Sequence, residues 1–302
     1  MKRRKLTLVL GVFILLTTIT ICSAAEDVVL VMDILHGKAY YETGAKKGKE
    51  VVLVDFLAEG DTIKLAPQTV LILNYFVSGI KEELTGPGSI TVGKSASQPE
   101  GAMVVKREKS EYIPPKSAIS RAELQQSGAA ALRGGKKDSQ ITLDSLDYTD
   151  VRSTQPVFQW RPVEGADTYR IKVSDAQQEI LKLDVETAET NFTVDKSGLI
   201  RGEEYCWIVL ALAKGKIVAK GEGQFVILTE ERLKEVERAE KAIEMQYPQE
   251  APGRLISLAI AYQHYGLLDD AAAILRKLHK AYPENEHIRN WAQALDPGFV
   301  AK

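Results

Sequence analysis

The stretch RGEEYCWIVLALAKG, Arg201 to Gly215, has the composition of a β-strand but is apolar on both faces. Successive strand side chains point to opposite sides. Tyr205, Trp207, Val209 and Ala211 therefore share one face, and Cys206, Ile208, Leu210 and Leu212 share the other. A half-exposed strand carries polar residues on its wet face. This one needs cover on both sides, so the chain must fold in layers. Burying aliphatic side chains contributes about 1.5–3 kcal/mol each, and a wet row of them invites aggregation. Cys206, Ile208, Leu210 and Leu212 are therefore a candidate inter-domain contact. The expected cover is the helical tail that follows in sequence. Neighbouring strands or loops, or a second copy of the chain, are the alternatives.

The rest of the chain divides by pattern. Residues 28–94 hold short runs rich in β-branched and aromatic residues: VVLVMDIL, GKAYYET, KEVVLVDF, DTIKLAP, TVLILNYF, IKEEL and SITVG. Turn signals such as AEGD, VSG and TGPG separate them, which predicts a meander curling into a small sandwich or partial barrel. Residues 95–140 turn polar and Pro-broken and read as a linker, with one short helix over Ser117–Leu132 stopped by Gly134-Gly135. Residues 141–228 return to strands at sandwich spacing, including a run with Tyr169, Ile171 and Val173 inward and Arg170, Lys172 and Ser174 outward. Residues 229–302 switch to helical periodicity. The fold class expected is multidomain and mainly β: a small sandwich or partial barrel, an immunoglobulin-like sandwich, then helical repeat hairpins.

Three resemblances follow from these motifs. LAEGDTIKLAPQTVLILNY followed by SGIKEELTGPGSITVG resembles the FecR-like extracytoplasmic domain over residues 26–94. The founding iron-uptake regulator has a cytoplasmic tail and a membrane span that this chain replaces with an N-terminal signal. A Trp closing one strand, GADTYRIKV, and LIRGEEYCWIVLALA resemble a fibronectin type III domain over residues 141–228. That resemblance implies that the Tyr205 hydroxyl bonds back to nearby backbone. RLISLAIAYQHYGLLDDAAAILRKLHKAYP resembles one tetratricopeptide repeat, with a half-repeat before it and a closing helix, EHIRNWAQAL, after it. Such units cannot bury their own faces and need a surface to lean on. If the repeat packs as its family does, Ile256, Ile260, Gln263 and His264 line the concave side that holds extended peptides. They are the candidate partner-binding residues; packing of the two isoleucines on other elements is the alternative.

The N-terminus reads as an export signal. Lys2, Arg3, Arg4 and Lys5 precede an uncharged run, Leu6–Ile21, and Ser23-Ala24-Ala25 supplies small residues for cleavage after Ala25. The run is short for a span, which takes about 20 apolar residues, so no stable membrane span is expected after cleavage; an uncleaved anchor is the alternative. Ile21 before Cys22 departs from a lipoprotein signal. Cleavage takes four basic and no acidic residues from a chain of net charge −2, leaving −6. That charge, without a basic tract, speaks against nucleic acid as a partner. Cys206 is then the remaining cysteine, so stability must come from packed cores.

Catalytic constellations are not evident. His36, His264, His279 and His287 have no Cys partners at metal-ligand spacing. TGPGS lacks the Lys and following helix of a phosphate loop. Asp269-Asp270 opens a helix, where dipole compensation accounts for both. The expectation is a non-enzyme without cofactor or metal, periplasmic or secreted, acting on another envelope protein as scaffold or accessory sensor. The alternative is a peptidoglycan or polysaccharide binder with Tyr40, Tyr41 and Tyr75 as its glycan contact.

Overall fold

The computed structural model describes residues 27–110, 141–194, 198–296 and 299. The expected signal peptide, most of the linker and the helix expected at Ser117–Leu132 lie outside the described residues. The described chain is mainly β, with four helices gathered in its C-terminal region.

The first unit contains β1 (Asp27–Leu35), β2 (Ala39–Tyr41), β3 (Phe56–Ala58), β4 (Thr62–Leu65), β5 (Val70–Tyr75), β6 (Ile80–Thr85), β7 (Gly88–Val92), β8 (Ser97–Glu100) and β9 (Met103–Lys109). One sheet runs β3-β1-β5-β6-β9 and the other β2-β4-β7-β8. Val29, Val31, Leu57, Leu71, Leu73 and Leu84 of the first sheet meet Ala39, Ile63, Leu65 and Ile90 of the second in one buried cluster.

Two expectations change here. The polar stretch after residue 94, read as linker, supplies β8 and β9. Its polar groups are the reason it folds. Glu82 is fully buried; it accepts the Ser97 N–H at 3.0 Å and Arg107 Nε at 2.6 Å. Ser97 also bonds the Tyr75 hydroxyl at 2.7 Å. A buried carboxylate needs such partners, and β8 and β9 bring them. The run KEVVLVDF, read as a strand, is instead a tight turn that becomes β3 only at Phe56. Asp55 takes the Val52 N–H on its side chain at 3.0 Å, and Val54 sits at φ +67°. That region is strained for a β-branched residue.

The second unit contains β10 (Thr149–Val151), β11 (Val157–Gln159), β12 (Thr168–Asp175), β13 (Leu181–Thr187), β14 (Asn191–Thr193), β15 (Glu204–Ala213) and β16 (Lys216–Ile227). Its larger sheet runs β10-β16-β15-β12-β13, with β10 parallel to β16, and β11-β14 forms the smaller one. Between them lie Phe158, Trp160, Tyr169, Ile171, Val173, Trp207, Val209 and Phe225. Phe158 meets Trp207 edge-on at 4.8 Å. Trp207 Nε1 donates to the Leu146 carbonyl at 2.7 Å, and a Cβ at Gly223 would fall 2.3 Å from that nitrogen, so only glycine fits. The corner bond implied for Tyr205 is present: its hydroxyl accepts the Ile200 N–H at 2.8 Å.

The helices are α1 (Glu230–Gln246), α2 (Pro252–His264), α3 (Leu268–Ala281) and α4 (Glu286–Leu295). Thr229 caps α1 by accepting the Arg232 N–H, and Asn285 caps α4 by accepting the Ile288 N–H. Their apolar faces share a cluster with the first unit. Ile243, Ile256, Ile260, Leu275, Ile288 and Trp291 pack with Leu30 and Met32 of β1 and with Leu53, Val54 and Phe56. The helical tail therefore leans on the outer face of the first sheet, not on the outer face of β15. β1 is thus buried on both sides, between a second sheet and a helical layer.

Candidate functional site

The sequence-derived candidates separate into three groups. Ile256 and Ile260 are buried, at 0% and 1% exposure, in the cluster shared by the helices and β1. They fill a core and do not line an open groove. Gln263 Oε1 accepts the Trp291 Nε1–H at 2.8 Å and thereby ties α2 to α4. His264 is exposed at the end of α2, its ring 5.0 Å from that of Tyr265. The four do not form one surface, because the first unit occupies the face that the isoleucines present.

Tyr75 and Tyr41 are core residues at 0% and 3% exposure. Tyr75 is spent on Ser97, and burial raises its pKa. Tyr40, half-buried, sits opposite Lys64 in the β2–β4 pairing. An aromatic platform needs open ring faces, so these three do not make one.

Cys206, Ile208, Leu210 and Leu212 are half-buried on the outer face of β15. Register explains their cover. Arg170, Lys172 and Ser174 of β12 stand opposite Leu210, Ile208 and Cys206. Lys220, Glu222 and Gln224 of β16 flank the same three from the other side. Long charged side chains lay their aliphatic stems over apolar neighbours while their heads stay wet. The neighbouring strands thus screen this face, the alternative named above. Cys206 Sγ lies 3.7 Å from the Ala176 carbonyl, and burial pushes its thiol pKa up.

The polar groups that do converge lie at the two seams of the helical layer. On the sandwich side, the Asp150 N–H donates to the Gly266 carbonyl at 2.8 Å, and the Leu146 N–H donates to Asp269 Oδ2 at 2.8 Å. The Leu268 N–H donates to Thr149 Oγ1 at 2.9 Å. Arg152 reaches Glu240 of α1 at 2.5 Å and Asp270 of α3 at 3.3 Å, and its guanidinium lies 4.7 Å from the Tyr262 ring centre. Tyr262 itself donates to Glu240 at 2.7 Å. Burial opposes the charge on Arg152, but Glu240, Tyr262 and Asp270 outweigh it and hold the cation more firmly than usual. Burial also raises the Asp270 carboxyl above the ordinary range, against the pull of Arg152. Leu146 and Tyr148, at φ +58° and +54°, place this segment against α3.

On the first-unit side, Asn285 Nδ2 donates to the Leu53 carbonyl at 3.0 Å, and His287 Nε2 lies 3.0 Å from Asp55 Oδ1. Both grip the turn whose apex is the strained Val54. Burial acts to raise the Asp55 carboxyl, but the bonds from His287 and Val52 outweigh it and leave its pKa below the usual range. Lys81 donates to the Gln246 carbonyl at 3.1 Å beneath the Tyr247 ring, and Ser110 donates to Gln246 Oε1 at 2.9 Å.

Sequence reasoning missed these seams. Asp269 and Asp270 were explained by the helix dipole, whereas they also hold the sandwich. His287 reads from the sequence only as a histidine without metal-ligand spacing, and Asn285 gives no signal of its contact there. The usable signal was in β1, where VVLVM has no polar face. The seams present hydrogen-bonding and ion-pairing chemistry. Among the described residues, no group of three or more His, Cys, Asp or Glu side chains is placed to hold a metal ion. No described helix is long and apolar enough to cross a membrane.

No family model matches the chain, and no curated protein matches it. Among solved structures, the chain is similar to titin kinase with its flanking domains at 13% identity and a TM-score of 0.25, covering 38% of this chain and 21% of that one. It is also similar to a β-1,2-glucanase from Parabacteroides distasonis at 10% identity and a TM-score of 0.18, covering 89% of this chain and 48% of that one. The chain thus spans about a fifth and about half of these two proteins. Scores of this size carry no functional argument.

Proposed function

We propose that the chain is an exported, non-enzymatic envelope protein that works by protein–protein contact, as a scaffold that holds two β modules in a fixed relation. One observation carries this reading. The helical layer shares an apolar core with the first unit and a network of charged hydrogen bonds with the second. Its apolar faces are spent inside the molecule, so it acts as a strut rather than a peptide groove. The contact surfaces are then the outer strands of the two β units. The resemblances to FecR-like, fibronectin-like and tetratricopeptide modules support the same reading. So does the N-terminal signal pattern, which fits a protein of the periplasm or the cell exterior.

The test is chemical crosslinking of the tagged protein in intact envelopes. Peptide mapping should place crosslinks to one defined partner on lysines of the β units, and N-terminal sequencing should begin at Glu26. Retention on purified peptidoglycan with no protein crosslink would overturn the scaffold reading in favour of wall binding.

A further inference from the structure

We infer that the free edge of the sandwich, strand β13, pairs antiparallel with β13 of a second copy, joining two five-stranded sheets across a twofold axis. The two edges of this sheet differ. At one end β10 is capped by the α2–α3 turn, to which its Asp150 N–H donates. At the other end β13 pairs on one side with β12 and, among the described residues, with no strand beyond it. A seven-residue edge strand is a row of unused backbone donors and acceptors, and natural proteins either cover such an edge or use it. Two large apolar residues lie exposed at its start, Ile180 at 56% and Leu181 at 55%.

Charge selects the occupant. Along β13 the exposed Lys182, which a bulge leaves out of the β12 ladder, and the exposed Asp184 lie on either side of the half-buried Leu183. Antiparallel pairing centred on Leu183 sets Lys182 of each copy opposite Asp184 of the other, so one contact is made twice. Opposite charges placed across strands are stabilising. Asp184 is fixed for this by Arg170, which donates to its two oxygens at 2.7 and 2.8 Å. Lys182 makes no ion pair among the described residues and is open to a partner. The other long edge among the described residues, β9, has the same spacing in Lys106 and Glu108. There the lysine is already paired with that acid at 2.6 Å, and Arg107 between them is held by Glu82.

Sedimentation velocity on the full chain over a wide concentration range tests the inference. The expected result is a monomer–dimer equilibrium. Lys182→Glu turns two opposite-charge pairs into two like-charge pairs and should weaken the dimer by about tenfold. Because Lys182 is exposed, the circular dichroism of that variant should match the parent. Register is tested in a Cys206→Ser background. Leu183→Cys, on the axis, should form an intermolecular disulfide, whereas Thr187→Cys should not. A chain monomeric at every concentration, an open-ended polymer, or a dimer indifferent to Lys182→Glu would each overturn the inference. The scaffold reading does not depend on it: monomeric sedimentation removes the dimer and leaves the crosslinking test intact.

Discussion

Strands β1 and β15 pose the same problem and the protein solves it twice. Each is apolar on both faces and each runs inside its sheet. β1 is buried along six consecutive residues, with a second sheet on one side and helices on the other. β15 alternates between buried and half-buried, with a second sheet on one side and only its neighbours' side chains on the other. The difference lies in those neighbours. β15 is flanked by Arg170, Lys172, Lys220 and Glu222, long charged side chains that border the apolar row. β1 is flanked on β5 by Ile72, and the chain beyond adds Phe76; both are themselves apolar and pack on the helices. An apolar strand among long charged neighbours is finished as a surface. An apolar strand among apolar neighbours needs another layer.

The largest test of this contrast is a buried charge. Met32→Asp places an unpaired carboxylate between β1 and the helices, where Met32 is 1% exposed. It should cost on the order of 4 kcal/mol and uncouple helix unfolding from the first unit. Leu210→Asp, in the corresponding row of β15, should cost under about 1 kcal/mol, because its carboxylate can reach water beside Arg170 and Lys220. Urea unfolding followed at the helix signal separates the two. Equal losses would break the comparison.

The seams of the helical layer give the next two tests. Arg152→Met removes the cation that Glu240 and Asp270 share and leaves two partly buried carboxylates facing each other. A loss of about 2 kcal/mol is expected. Restoration of stability by adding Glu240→Gln would confirm that the penalty is electrostatic. Asn285 acts twice, capping α4 through Oδ1 and donating to Leu53 through Nδ2. Asn285→Ala should cost about 1–2 kcal/mol. Asn285→Asp keeps the cap and loses the donor, so its smaller loss isolates the bond between the layers. If the two variants are equally destabilised, that bond contributes nothing.

Much of this fold was legible in the sequence. Alternation placed Tyr169, Ile171, Val173, Trp207 and Val209 in the sandwich core, where they lie. Local chemistry marks the first helix start at Thr229, whose side chain caps it. The failures share a cause: they depend on what lies across a gap in the chain. β8 and β9 looked like linker because their polar residues answer Glu82, a carboxylate in another strand. The turn at Val54 looked like a strand because its strain is held by Asn285 and His287, which lie far along the chain. The concave isoleucines looked like a groove because their cover, β1, precedes them by more than two hundred residues. Periodicity reports which face is apolar and is silent on which surface meets it.

Acid should separate the two seams, with a smaller effect than any substitution above. At the first-unit seam Asp55 has a folded pKa below its unfolded value. Its contribution is fully present above the ordinary carboxylate range and is lost as pH falls through the folded value. At the sandwich seam Asp270 and Asp150 are displaced the other way by burial. A carboxyl with a raised folded pKa binds its proton more tightly in the folded state, so stability rises as pH falls through that value towards the unfolded one. Acidification from neutrality should therefore tighten the α3–sandwich seam first. Only below the ordinary carboxylate range should it loosen the α4 grip on the Val54 turn. Amide hydrogen exchange across a pH series, corrected for intrinsic rates, reads this directly. Protection at Leu146 and Asp150 should hold or increase while protection in α4 declines. Asp55→Asn should remove the decline in α4 and leave the sandwich seam unchanged; a parallel loss at both seams would show that they open as one unit.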